Sequence, residues 1–200
     1  MDNWILARTG TLISKIREYM DQYIIYKVYP EIQAYIEDLA NWYTKFNRIR
    51  MKGRGISREE QGMSLSTCWN TLFTLSQILA PFAPFISETF YQQLKVLLPI
   101  ELQLESVHLC DYPKATDFPQ NKDIERKIQR LQHVSNIVRA LRSNSPKHSS
   151  SKVPVEAITI FVDDPQYIDD IKEMQLYLLE DINCFSVNYN VLKGMISYAI

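Results

Sequence analysis

Apolar residues recur at steps of three and four through the first half of this chain, and that period constrains the fold more than any other feature. Ile5, Ile13, Ile16, Met20, Tyr23 and Tyr26 follow it and predict a helix over residues 3–27. Pro30 punctuates the pattern and can open the next helix in its first turn. The stripe Ile32, Ile36, Leu39, Tyr43 (or Trp42), Phe46 and Ile49 then predicts a second helix over residues 31–51. Ser57 precedes Arg58, Glu59 and Glu60, the pattern of an N-cap with acids in the first turn, so a third helix starts there and runs to Ile78–Leu79. The run Ala80-Pro81-Phe82-Ala83-Pro84-Phe85 breaks it, and a fourth helix reaches to about Leu98. Four amphipathic helices with short connections pack most simply as an antiparallel-type bundle. The chain has only 5 glycines in 200 residues, which favours helices over a turn-rich β fold.

The remainder has a different character. Pro99, Pro113 and Pro119 mark an irregular connector, with Ser106-Val107-His108-Leu109 as a short extended piece. Ile124, Ile128, Leu131, Val134, Val138 and Leu141 define one long helix whose outer faces carry Arg126, Lys127, Arg130, Arg139 and Arg142. Residues 143–152 form a polar loop made basic by Lys147 and Lys152. Val155, Ile158, Ile160 and Val162 read as a strand, Asp163-Asp164-Pro165 opens a helix near 165–180, and Cys184 to Tyr189 reads as a second strand. Residues 191–200 add a third. The fold class is therefore mainly α: a four-helix bundle over residues 1–113, then a linker, a long helix and a small α/β subdomain over residues 114–200.

The second predicted helix ends in concentrated positive charge. Between Lys45 and Arg58 lie Lys45, Arg48, Arg50, Lys52, Arg54 and Arg58, with no acid among them. Cations at a helix C-terminus complement the macrodipole, which accounts for one or two of the six. The rest repel one another unless an anion is near, and RNA is the first candidate. Arg139 and Arg142, at i and i+3 ahead of the basic loop, form a second and weaker patch. The formal net charge of −1 argues against indiscriminate coating of nucleic acid and leaves room for one local basic site. Trp42 and Tyr43 could stack on bases, yet they sit on the apolar stripe and are expected in the core. Pro81 and Pro84 read as a corner, Glu88 as a residue that caps or pairs beside it, and His108 as hydrogen-bonded in the structure.

Three widely spaced cysteines (Cys68, Cys110, Cys184) make neither a disulfide framework nor a Cys-x-x-Cys pair, and reduced buried thiols suit a cytoplasmic protein. The histidines His108, His133 and His148 have no metal-site spacing. No apolar run approaches the ~20 residues that span a bilayer, so no membrane partner is expected.

Several motifs occur in a recognisable order. Asp2-Asn3-Trp4-Ile5-Leu6-Ala7-Arg8 opens the chain, followed by Leu39-Ala40-Asn41-Trp42-Tyr43 with Asn47, Arg48 and Arg50. Leu79-Ala80-Pro81-Phe82-Ala83-Pro84-Phe85-Ile86-Ser87-Glu88 and Ser106-Val107-His108 follow, then Lys152-Val153-Pro154-Val155 and Leu179-Glu180-Asp181-Ile182-Asn183. Together, over most of the chain, they resemble the anticodon-binding region of isoleucyl-tRNA synthetases, class Ia enzymes, of the eukaryotic cytosolic type. Ala40 stands where the family usually has Ser, and the family's basic run ahead of Lys-Val-Pro is diluted to serines here. The resemblance implies recognition of the anticodon arm of isoleucine tRNA, through Lys45, Arg48, Arg50, Lys52, Arg54, Arg139 and Arg142 as RNA contacts. It also implies a parent enzyme that uses ATP and Mg, with catalytic and editing domains and other synthetases as protein partners. The His-x-Gly-His and Lys-Met-Ser-Lys-Ser motifs of adenylate formation are in no part of this sequence. No catalytic residue, metal or cofactor is therefore assigned to these residues, which read as a segment of a longer ligase. The other readings are the corresponding region of a valyl or leucyl enzyme and a helical protein-interaction module.

Overall fold

A computed structural model describes residues 1–144, 150, 152–191 and 197–199. The chain forms two compact units, Met1–Asn121 and Lys122–Ile200.

The first unit is helical. α1 (Asp2–Asp21) buries Trp4, Ile5, Leu12, Ile13 and Ile16 on one face. It ends earlier than residue 27, because Tyr23 adopts a positive φ of 58° that no helix continues through. A 3₁₀ turn (Ile25–Lys27) leads into α2 (Val28–Glu37), with Pro30 in its first turn. A π-helical turn (Asp38–Tyr43) joins α2 to α3 (Thr44–Met51) without a break. That widened turn rotates the inward face. Val28, Ile32, Tyr35 and Leu39 point inward before it, and Tyr43, Phe46 and Asn47 after it. The regular stripe expected from the sequence therefore fails past the turn at Ile49, which is 58% exposed; Ile36, ahead of the turn, is also exposed, at 42%. Trp42 and Tyr43 are both buried, since the π turn lets adjacent residues face the core.

Gly53 and Gly55 have φ of 66° and 72°, which turns the chain tightly into α4 (Arg58–Leu79). Ser57 caps α4 as expected, its side chain accepting from the Glu60 amide at 3.1 Å. α5 (Pro84–Leu94) starts at the proline corner, with Pro84 in its first turn, and a 3₁₀ turn follows at Lys95–Leu97. Ser106 is extended, but Val107–Leu109 form a 3₁₀ turn in place of the expected extended piece. The cause is Glu88, whose carboxylate accepts from Ser106 Oγ and the Val107 amide, both at 2.9 Å, and draws the backbone round. These bonds and one from Gln92 hold the Glu88 carboxyl below its ordinary pKa, Gln92 contributing most. His108 is exposed, and its amide donates to Ser106 Oγ. Residues 114–121 belong with this unit. Phe118 is buried against α1, where a Cβ on Gly10 would lie 3.0 Å from the Phe118 Cβ.

The second unit sets helices against a small sheet. α6 (Lys122–Ser143) buries Ile128, Leu131, Val134 and Val138. β1 (Val155–Val162) lies centrally, parallel to β2 (Cys184–Val191) and antiparallel to β3 (Ser197–Ala199). The β1–β2 register runs from Val155 opposite Cys184 to Val162 opposite Val191. Between them the expected single helix is two, α7 (Pro165–Glu173) and α8 (Gln175–Ile182), separated at Met174. Asp164 caps α7, and Asn183, at φ 51°, ends α8 and sends the chain into β2. Lys147 and His148 lie outside the described residues.

Candidate nucleic-acid interface

The basic run is split by the fold into two groups with different partners. Arg50 points inward from α3 and is fully engaged. Its Nη1 and Nη2 donate to the two carboxylate oxygens of Asp2 at 3.0 and 2.9 Å, and its Nε donates to Glu60 Oε1 at 3.1 Å. Nη1 also donates to Asn47 Oδ1 at 2.6 Å. Asn47 itself is 1% exposed and donates to the Tyr43 carbonyl. Tyr43 donates from its hydroxyl to Asp2 Oδ1 at 3.1 Å and to the Ser64 carbonyl at 3.3 Å. Burial, and then the neighbouring Asp2 carboxylate, push the Tyr43 phenol well above its usual pKa, so it stays a donor. The hydrogen bonds to Asp2 raise the Arg50 pKa in turn. One network thus joins the start of α1, the end of α3 and the start of α4.

Lys45, Arg48, Lys52 and Arg54 are exposed, as is Arg58 at the start of α4. Lys45 lies beside the Phe46 ring, 5.9 Å from its centroid. Arg48, Lys52 and Arg54 form no ion pair among the described residues. The arrangement is a set of cations on α3 and the Gly53–Ser57 loop, fixed from beneath by the Arg50–Asp2–Glu60 network. Such a surface lowers the free energy of a phosphate backbone laid across it.

Arg8, the other charged end of the motif that opens α1, is likewise structural. Its Nε donates to Asp38 Oδ2 at 2.9 Å, at the first residue of the π turn. Asp2 and Arg8 therefore brace α1 against the second helix at two levels.

In the second unit the sequence-predicted cations are held by acids and carbonyls. Arg142 is 4% exposed. Its Nη1 donates to the Ile182 carbonyl, and its Nη2 to the Ser150 and Val153 carbonyls at 2.6 and 2.5 Å. Arg139 pairs with Asp181 on α8. Arg126 and Arg130 both reach the buried Asp170 of α7, at 2.8 and 2.9 Å, and Lys127 reaches Asp123 and Glu173. Arg126 above all holds the Asp170 carboxyl below its ordinary pKa. The basic face of α6 is thus the seam on which α7 and α8 dock.

Sequence reasoning passed over Asp2, Asn47 and Glu60 as partners. Asp2 lies 48 residues from Arg50, and no local period connects them. Arg142 had a readable signal: it follows Val138 by four residues, on the apolar stripe. Among the described residues no group of three His, Cys, Asp or Glu side chains is placed to hold a metal, and no helix is long and apolar enough to cross a membrane.

Comparison with known proteins extends this geometry. The family described as the anticodon-binding domain of tRNA ligase matches residues 2–157. The chain is 35% identical over 186 residues to the cytoplasmic isoleucine–tRNA ligase of Schizosaccharomyces pombe, covering 92% of this chain and 17% of that protein. It is 34% identical over 189 residues to the cytoplasmic enzyme of Saccharomyces cerevisiae, with the same coverages, and 30% identical over 197 residues to that of Mus musculus, covering 96% and 15%. The chain therefore spans about one sixth of the length of the relatives it matches. With the family's match running over most of its residues, the chain belongs to the anticodon-binding domains of tRNA ligases.

Proposed function

We propose that this chain recognises the anticodon arm of isoleucine tRNA in the cytoplasm, as part of an isoleucine–tRNA ligase whose catalytic and editing chemistry lies in other domains. The observation that carries the reading is the exposed cation set Lys45, Arg48, Lys52 and Arg54 on a braced helix end. Each cation that meets a phosphate releases condensed counterions, so affinity comes chiefly from the backbone. Phosphate contacts fix orientation, and exposed side chains near the same end then meet the unstacked loop bases. Arg50, Arg139 and Arg142 act in this account as the builders of the two units. The role of the domain is positioning: it holds one end of the tRNA so that the acceptor end reaches a distant active site. ATP and Mg supply the activation chemistry of such an enzyme elsewhere, since the nucleotide-binding motifs are not in this sequence.

The experiment compares binding of isoleucine, valine and leucine anticodon stem-loops to the chain by fluorescence anisotropy. Tighter binding of the isoleucine stem-loop supports the reading. Equal binding of all three places the discrimination outside these residues. Tightest binding of the valine or leucine stem-loop assigns the domain to another class Ia ligase.

A further inference from the structure

A polar cleft of about 410 Å³ lies in the first unit, between α4 and residues 111–118 of the connector. Asn70, Thr74 and Gln77, at i, i+4 and i+7, set two carboxamides and a hydroxyl along the stripe of α4 that lines it. Thr74 is the most informative of them. Thr67 and Thr71, earlier in the helix, close their hydroxyls onto the Met63 and Thr67 carbonyls at 3.0 and 2.6 Å. Thr74 is 3% exposed, yet its hydroxyl has no hydrogen-bond partner among the described residues and opens on the cleft. The Asn70 and Gln77 side chains have none either. On the connector side, the Tyr112 hydroxyl is buried without a partner. Folded chains satisfy nearly all such groups, so several left open beside one cleft mark a place for a ligand. The connector wall is held in position by Arg17 of α1, whose Nη2 donates to the Tyr112 and Pro113 carbonyls at 3.3 and 3.1 Å.

The lining selects the chemistry. Asp111 and Asp117 outnumber Lys114, and none of the three is in an ion pair among the described residues, so the cleft does not favour a phosphate. An apolar ligand would leave the hydroxyl and carboxamides of α4 without partners. A cation would find its acids only on the exposed connector, beside Lys114, and no charge on the α4 wall. A neutral planar group with donors and acceptors on its edge fits both walls. A carboxamide pairs with such an edge through two hydrogen bonds, and a hydroxyl serves as donor or acceptor. The rings of Phe73 and Tyr112 line the same cleft and suit a flat π surface. We propose that the cleft seats one unpaired nucleobase, with Asn70, Thr74 and Gln77 reading its edge. That the base comes from an RNA loop rests on the anticodon reading: α4 starts at the basic tip, and Asn70 lies about 18 Å along it from Arg58.

The test uses the whole chain, Thr74→Val, and Asn70→Ala/Gln77→Ala. Val keeps the shape of Thr74 and deletes a hydroxyl that bonds to nothing in the protein, so its melting temperature should match wild type. Each protein is titrated with adenosine, guanosine, cytidine and uridine by ligand-observed NMR, and with the isoleucine stem-loop by anisotropy. The expected result is saturable binding of at least one nucleoside, weakened about tenfold in both variants, as for the loss of a hydrogen bond to a ligand edge. Stem-loop affinity falls with it at an unchanged salt slope, because no phosphate contact is lost. A stem-loop made abasic at the seated position loses the same affinity, and Thr74→Val then costs nothing more. Nucleoside binding that the variants weaken, with stem-loop binding untouched, assigns the cleft to a free nucleoside. A stem-loop that wild type does not bind refutes the anticodon reading, and the nucleoside titrations still decide the cleft. Nucleoside binding that is absent or equal in all three proteins overturns the proposal. So does a lowered melting temperature of Thr74→Val, which would make the hydroxyl structural. Arginine amide bound in preference to every nucleoside would also overturn it, and would assign the cleft to a basic side chain of a protein.

Discussion

Replacing Arg50 with Met removes the centre of the network that joins α1, α3 and α4, and its effect can be worked from the contacts. The guanidinium makes two hydrogen bonds to Asp2, one to Glu60 and one to Asn47. Its side chain is 25% exposed and that of Asp2 21%, so the pair is largely but not wholly removed from water. Breaking a fully buried pair by deleting one partner costs about 3–5 kcal/mol. Solvent at the open side screens part of that, and Met restores some packing along the stem, which leaves about 2 kcal/mol. For a unit of 121 residues this lowers the melting temperature by roughly 8 °C. The assay is simple because all three tryptophans, Trp4, Trp42 and Trp69, lie in the first unit, so their fluorescence follows its melting alone. Arg48→Met is the control: it removes an exposed cation of the same helix and should shift the midpoint by less than 2 °C, equivalent to about 0.5 kcal/mol. A midpoint for Arg50→Met within 2 °C of wild type would refute the reasoning, because the network would then be ornamental. Below the melting range the variant should bind the isoleucine stem-loop with an unchanged salt slope.

Three further outcomes follow from contacts elsewhere. Arg142→Met leaves the carbonyls of Ser150, Val153 and Ile182 without their donor and should destabilise the second unit by about 3 kcal/mol, read as faster hydrogen exchange in β1 and α8. Asp170 has a folded pKa below its ordinary 3.8, chiefly through Arg126, so its contribution is fully present above 3.8 and fades as pH falls below it through the folded value. Wild type should therefore lose second-unit stability in that acidic window more steeply than Asp170→Asn, and parallel pH profiles would contradict the assignment. Ser57→Ala removes the cap of α4 and should cost about 1 kcal/mol, with Ser57→Asp near wild type, in tryptophan-monitored urea melts.

Much of the fold was legible because its signals are local. The Ser57 cap, the proline corner, α6 and the two parallel strands each rest on a short pattern that the tertiary structure did not override. The π turn at Asp38–Tyr43 was not legible, since one widened turn leaves the spacing almost unchanged while rotating everything after it. That rotation sent Ile49 to the surface and put Asn47 in the core. The basic tip was visible as composition, but which cations stay open was not. Arg48 and Arg50 are two residues apart and equally cationic, and only Asp2 and Glu60, distant in sequence, decide that one turns inward. Arg142 carries the same lesson from the other side: its place on the apolar stripe announced burial, while its charge suggested a surface.

The central claim is that the open cations of α3 and its following loop meet RNA phosphates, and a salt series tests it most directly. The slope of log affinity against log salt changes by about 0.7–0.9 for each phosphate contact. Wild type and Arg48→Gln/Arg54→Gln would be titrated with the isoleucine stem-loop across the same salt range. The account predicts weaker binding and a slope shallower by about 1.4–1.8 in the double variant, with an unchanged melting temperature. Identical slopes in the two proteins would contradict it, and would move the RNA contacts away from this end of the domain.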